Sequence, residues 1–179
     1  MAITLLPNGY TFVPRPDWDS DADYPSGTVK RPVNEFYIHH TVTNPTEDPC
    51  ADARTVERVL DARRLDGYSY LNHPYGVVLE FAGDKRGEHT GGHNSTSYAM
   101  AFIGNYDQMH PSLSQLIAAA RTINLLRLKG DLVPRLEDLK ILPHQAVKAT
   151  ACPGANILLP NLNGRSAIEW IRWFAHTGV

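Results

Sequence analysis

Eight histidines and two cysteines are the residues of this 179-residue chain best able to do chemistry, and their spacing singles out a few. His39 and His40 stand side by side after the β-prone run Phe36-Tyr37-Ile38, and His144 is followed, after seven intervening residues, by Cys152-Pro153-Gly154 in a turn-rich segment. A histidine by itself is usually an ordinary surface or hydrogen-bonded residue. Two imidazoles and a thiolate from separate segments are different, because zinc takes nitrogen and sulfur ligands in a tetrahedron. Three protein ligands leave the fourth position open, as a catalytic site requires, and the second cysteine, Cys50, lies in another segment. Successive side chains of a strand point to opposite faces, so His39 and His40 cannot both reach one ion. The pattern does not choose between them: Phe36 and Ile38 share a face with His40, Tyr37 shares one with His39, and both faces look apolar. A lone cysteine with histidine elsewhere is also a thiol-nucleophile signature.

The local patterns indicate what holds these side chains. Residues 1–34 carry Pro7, Pro14, Pro16, Pro25 and Pro32 among Asp, Ser and Gly, which predicts an irregular arm anchored by Trp18 and Tyr24. Residues 36–38 predict a buried strand. Over 51–66, Ala53, Val56, Leu60 and Ala62 recur at helical spacing, with Gly67 as a stop. Strands are predicted over 68–71 and 75–81 around the Asn72-His73-Pro74 turn, then a Gly-rich loop over 83–97 and a strand over 98–103. Ser112 caps a predicted helix running to Lys129, with Gly130 as terminator. A short helix over 135–139, the pair Ile141-Leu142 leading into His144, and a helix marked by Ile168, Ile171 and Phe174 complete the chain. Strands interleaved with helices predict an α/β fold: a single domain with a central mixed β-sheet flanked by α-helices, the arm of residues 1–34 packing on a catalytic body of residues 35–179.

Composition narrows the partners. Seventeen Lys and Arg against nineteen Asp and Glu give a net charge of −2, and no basic run exists to track phosphates, so nucleic acid is excluded as a partner. No apolar stretch is long enough to span a bilayer, and residues 1–10 lack the basic start and apolar run of an export signal. Membrane insertion is therefore not expected. Two cysteines make no disulfide framework.

Taken together, Tyr37-Ile38-His39-His40-Thr41, Gly67-Tyr68, His89 with Asn94 and Ser97, and His144 with Cys152-Pro153-Gly154 resemble the type 2 N-acetylmuramoyl-L-alanine amidases. That family includes phage lysozyme-type amidases and the peptidoglycan recognition proteins. The resemblance runs from about Arg15-Pro16-Asp17-Trp18 to the closing helix. An Ile-His-His-Thr string alone is weak. A strand-end histidine followed about a hundred residues later by His, seven residues and Cys-Pro-Gly, with Gly-Tyr between in the right order, is specific.

The resemblance implies that His39, His144 and Cys152 bind Zn2+ and that His40 faces away. It implies hydrolysis of the amide between N-acetylmuramic acid and L-alanine in bacterial peptidoglycan, the zinc activating water and polarising the carbonyl. Tyr68 then corresponds to the family's tyrosine beside the metal, a donor for the developing oxyanion. Thr150 lies where phage members often carry lysine and recognition proteins threonine. A hydroxyl is no cationic partner, so it either orients water or a substrate carbonyl or caps its own turn. His89, His93 and Asn94 would line the substrate groove; Glu80 and Glu88 stay unassigned. Cys50 sits where some relatives form a disulfide, but its only mate here is the implied ligand, so a free thiol is expected. The role implied is that of a phage or prophage endolysin, bacteriolytic and antimicrobial, monomeric, made in the host cytoplasm and acting on the wall. Two other readings compete: a module that binds peptidoglycan without cleaving it, and a thiol peptidase using Cys152.

Overall fold

The computed structural model describes residues 4–6, 10–19, 24–160 and 163–178. Its centre is β3 (Glu35–His40), whose buried run Phe36-Tyr37-Ile38 is apolar on both faces because both faces of the sheet are covered. β3 lies between β6 (Ser97–Phe102) and β7 (Lys140–Pro143), parallel to both. Beyond β6 come β4 (Tyr70–Asn72), parallel to it, and β5 (Val77–Glu80), antiparallel to β4. Two short strands, β1 (Thr4–Leu6) and β2 (Tyr10–Val13), extend the far edge, β2 running parallel to β5. The result is a mixed seven-stranded sheet in the order β1-β2-β5-β4-β6-β3-β7.

Alternation along the strands splits the core in two. On one face Phe36, Ile38, Tyr98, Met100 and Phe102 pack with α3 (Leu113–Leu128) and α5 (Ala167–Thr177). On the other, Leu71, Leu79, Ala101 and Ile103 pack with Trp18 and the buried side of α2 (Pro49–Asp61). Both long closing helices start at capping boxes, Ser112 with Gln115 and Ser166 with Glu169, so backbone donors that a helix start leaves open are satisfied. Two short helices, α1 (Arg15–Trp18) and α4 (Ala155–Leu158), complete the set. No helix among the described residues is long and apolar enough to cross a membrane.

The first predicted helix ends five residues early. After Asp61 the chain closes with Leu65 N–H on Leu60 O and Arg64 N–H on Asp61 O, with Arg64 at φ 56°, so a left-handed arginine ends the helix before Gly67 is reached. The predicted short helix narrows to a 3-10 turn, Leu136–Asp138, and Ile141-Leu142 prove to be part of an edge strand.

The arm is a second correction, because its described residues are not uniformly irregular. Tyr10-Thr11-Phe12-Val13 are all strand-favouring types, and β5 offers them an unpaired edge; Pro14 follows the strand without preventing it. Trp18 anchors this segment as expected, stacked on Phe81 with Nε1 donating to Glu80 O. Tyr24 donates to a carboxylate oxygen of Glu80. Between them the buried Arg15 guanidinium lies over the rings of Trp18, Tyr24 and Phe81 and is paired with Asp19 and Glu57.

Candidate active site

His39 reaches the α2 side of the sheet near the C-terminal end of β3, in register with Ala101 and, one strand further, Leu71. Small side chains at Ala99 and Ala101 leave room beside the rings of Tyr37 and His39. His40 turns to the opposite face, where its Nδ1 accepts the Tyr106 N–H at 3.3 Å. Strand parity combined with the observed pairing thus separates two adjacent imidazoles that their own sequence left equivalent.

His144 enters from the end of β7 and Cys152 from the loop that follows. Gln145 N–H donates to Cys152 O, closing that loop on itself. Gly154 then fits against the backbone of Tyr106 and Asp107: at φ 93° a Cβ there would lie 2.6 Å from the Tyr106 carbonyl carbon. The contact is completed by Asn156 N–H on Tyr106 O and Ala155 N–H on the Asp107 carboxylate. The Cys-Pro-Gly motif is therefore a clamp that aims the thiol.

One donor atom each from His39, His144 and Cys152 lies within 4.8 Å of the others. Cys152 Sγ is 3.5 Å from His39 Nδ1 and 3.4 Å from the His40 backbone N–H, which donates to it. The rings of His39 and His144 are 4.4 Å apart between centroids. Burial and the neighbouring imidazoles hold His39 well below the usual histidine range, burial lowers His144, and burial takes His89 down to about 3. Neutral imidazoles present lone pairs, and His144 Nε2 is buried with no hydrogen-bond partner among the described residues. A nitrogen-nitrogen-sulfur set of this kind fits zinc. Cys50 is buried elsewhere and, like Cys152, is a free thiol.

Tyr68 follows Gly67, which holds φ 71° where a Cβ would press into Leu60 and Phe81. Its ring stands 5.2 Å from that of His39, and burial together with the Cys152 sulfur drives its phenol up, so the hydroxyl keeps its proton. Thr150 Oγ1 accepts the Cys152 N–H at 3.2 Å, capping its own turn and leaving the hydroxyl proton to donate.

The Gly-rich loop puts its three predicted residues in three different settings. His89 lies beside the cluster, its ring 5.9 Å from that of His39. The Asn94 side-chain oxygen accepts from the backbone N–H groups of His89 and Thr90, tying the loop. His93 sits further along β3, its Nδ1 2.8 Å from the Glu35 carboxylate and 3.1 Å from the Tyr37 hydroxyl. Glu35 and Thr90 were not anticipated. Glu35 was legible, since Glu35, Tyr37 and His39 alternate on one face of a strand. Thr90, whose hydroxyl is 3.1 Å from both His39 Nε2 and His89 Nδ1, had no signal in its spacing.

Comparison with known proteins identifies the family and the fold. The sequence pattern of the N-acetylmuramoyl-L-alanine amidases matches residues 29–155. The chain is 34% identical over 152 residues to a peptidoglycan-recognition protein of Drosophila simulans, covering 79% of this chain and 76% of that protein. Among solved structures, bumblebee PGRP-SA superposes with a TM-score of 0.74 at 32% identity, covering 81% of this chain and 89% of that one. A Drosophila PGRP-LB variant, in complex with tracheal cytotoxin, superposes with a TM-score of 0.71 at 25% identity, covering 81% and 89%. The chain belongs to the N-acetylmuramoyl-L-alanine amidase family.

Proposed function

We propose that this protein is a zinc-dependent N-acetylmuramoyl-L-alanine amidase that cleaves the bond between N-acetylmuramic acid and the stem peptide of peptidoglycan. The observation that carries the reading is the convergence of His39, His144 and Cys152 within 4.8 Å, the strand-end histidine coming from a segment about a hundred residues away from the other two. Zinc bound there supplies a Lewis acid for the amide carbonyl and a nucleophile from water.

The chain's own residues supply the rest. The Tyr68 phenol, protonated and beside His39, donates a hydrogen bond to the oxygen on which charge develops. Thr150 has a hydroxyl proton free for the same region. His93, held by Glu35, offers its outer edge to substrate along the β3 face. The endolysin role, with its bacteriolytic and antimicrobial action, is proposed on sequence resemblance alone.

A binding module without turnover is the second reading, supported by the recognition-protein names of relatives and by the tracheal cytotoxin complex of one structural neighbour. The two separate on one experiment: purified peptidoglycan incubated with the protein, with and without a zinc chelator, and the products identified by mass spectrometry. Stem peptides beginning with L-alanine, lost on chelation and restored by zinc, are expected. Intact glycopeptides would favour the binding module, and cleavage that survives chelation would point to Cys152 as a nucleophile.

A further inference from the structure

Thr90 is buried, and its hydroxyl stands 3.1 Å from His39 Nε2 and 3.1 Å from His89 Nδ1. A hydroxyl has one proton and two lone pairs, and among the described residues this buried one has no acceptor for its proton other than these two nitrogens, so it donates to one of them and accepts from the other. Two arrangements satisfy both contacts and also the hydroxyl proton. In the first, His39 Nε2–H donates to Thr90, and Thr90 donates to a bare His89 Nδ1. In the second, every proton is reversed.

Metal binding chooses between them. His39 Nδ1 is the nitrogen that faces Cys152 Sγ, and it offers a lone pair to an ion only when the ring proton is on Nε2. The first arrangement follows. His89 then carries its proton on Nε2, and that nitrogen is buried without a partner among the described residues. The ring sits 5.9 Å from that of His39, so an unsatisfied N–H donor is held next to the reacting centre. Buried donors are nearly always satisfied, and one left open beside a catalytic cluster calls for an acceptor brought in by the ligand. The loop is fixed well enough for this, since Asn94 takes the backbone N–H groups of both His89 and Thr90 and His93 N–H returns to Thr90 O.

We propose that Thr90 is a positioning residue that couples the ligand state of His39 to His89, fixing His89 as an Nε2–H donor for a carbonyl or carboxylate oxygen of the substrate. The inference rests on the zinc reading above and adds a residue and a tautomer to it.

Long-range proton–nitrogen correlation spectra of the 15N-histidine-labelled full chain, zinc-loaded, test it directly. The expected result is a bare Nδ1 and a protonated Nε2 on His89. Thr90→Val, which keeps the shape and loses the hydroxyl, should abolish that single tautomer and weaken zinc binding by about 10- to 100-fold in chelator competition. Thr90→Ser should restore both. A protonated Nδ1 on His89 in the zinc-loaded wild type overturns the proposal, as does weaker zinc binding in Thr90→Val with the His89 tautomer unchanged. The wild-type spectrum decides even if the valine variant fails to fold. A wild-type chain that takes up no zinc overturns the amidase reading and this inference together, whereas zinc uptake with the other tautomer overturns this inference alone.

Discussion

Cys152 must change state for zinc to bind, because burial pushes its thiol up to about 11 while the metal takes the thiolate. His39 and His144 have nothing to lose near neutrality, since burial has already lowered both below the usual histidine range. Zinc uptake near pH 7 should therefore release one proton, and it should come from the thiol. As the protein must give up that proton, apparent affinity rises with pH, by about tenfold per unit between about pH 6.5 and 8. Competition against a chelator of known proton affinity at several pH values measures the slope; a flat profile would remove Cys152 from the ligand set. Tyr68→Phe probes the neighbouring role. The ring and its packing remain, so zinc affinity should hold while turnover falls by about 100-fold or more, the usual cost of an oxyanion donor. Unchanged turnover would leave Tyr68 as a packing residue. Both side chains stand in recognisable strings, Gly67-Tyr68 and Cys152-Pro153-Gly154, which is why they were legible. Thr90 was not, because threonine beside a histidine is common and only a folded loop brings it to His39.

At the level of the elements, the site depends on a strand end and a clamp. β3 supplies His39 because pairing with β6 and β7 fixes which alternate residues face α2. The Cys152 loop is placed by Gly154 against the Tyr106–Asp107 backbone. Gly154→Ala adds a Cβ where there is no space and at a φ that L residues avoid, so the loop must shift. We expect zinc affinity to fall at least tenfold with the secondary structure retained, measured by chelator competition and circular dichroism. Wild-type affinity in that variant would show that the clamp does not aim the thiol. Helix positions were readable from apolar spacing and from Ser112, which caps α3 as expected. The end of α2 was not, because a left-handed arginine closes it and a side chain that prefers helix carries no stop signal.

Over the whole molecule, the N-terminal segment is part of the core. β2 completes the sheet beside β5, and Trp18 is buried among the residues that back α2. Trp18→Ala removes a stacked ring and a hydrogen bond from Nε1 to Glu80 O. It should lower unfolding free energy by about 3–5 kcal/mol. Urea denaturation followed by fluorescence and circular dichroism gives the value; a loss under about 1 kcal/mol would mean the segment is not anchored there.

The amino-acid order alone carried the α/β class, the main helices, the buried strand before His39 and the cluster of zinc-binding residue types, because periodicity, capping residues and side-chain chemistry are local properties. It also carried the family resemblance, through strings short enough to survive in order along the chain. The pairing that turns His39 to one face and His40 to the other, which the pattern left open though the resemblance implied it, the entry of the arm into the sheet, the early end of α2 and the bridging of two histidines by Thr90 emerged only on folding. Each depends on which segments become neighbours, and hydrogen-bond pairing between distant strands and loops leaves no periodic trace in any one of them.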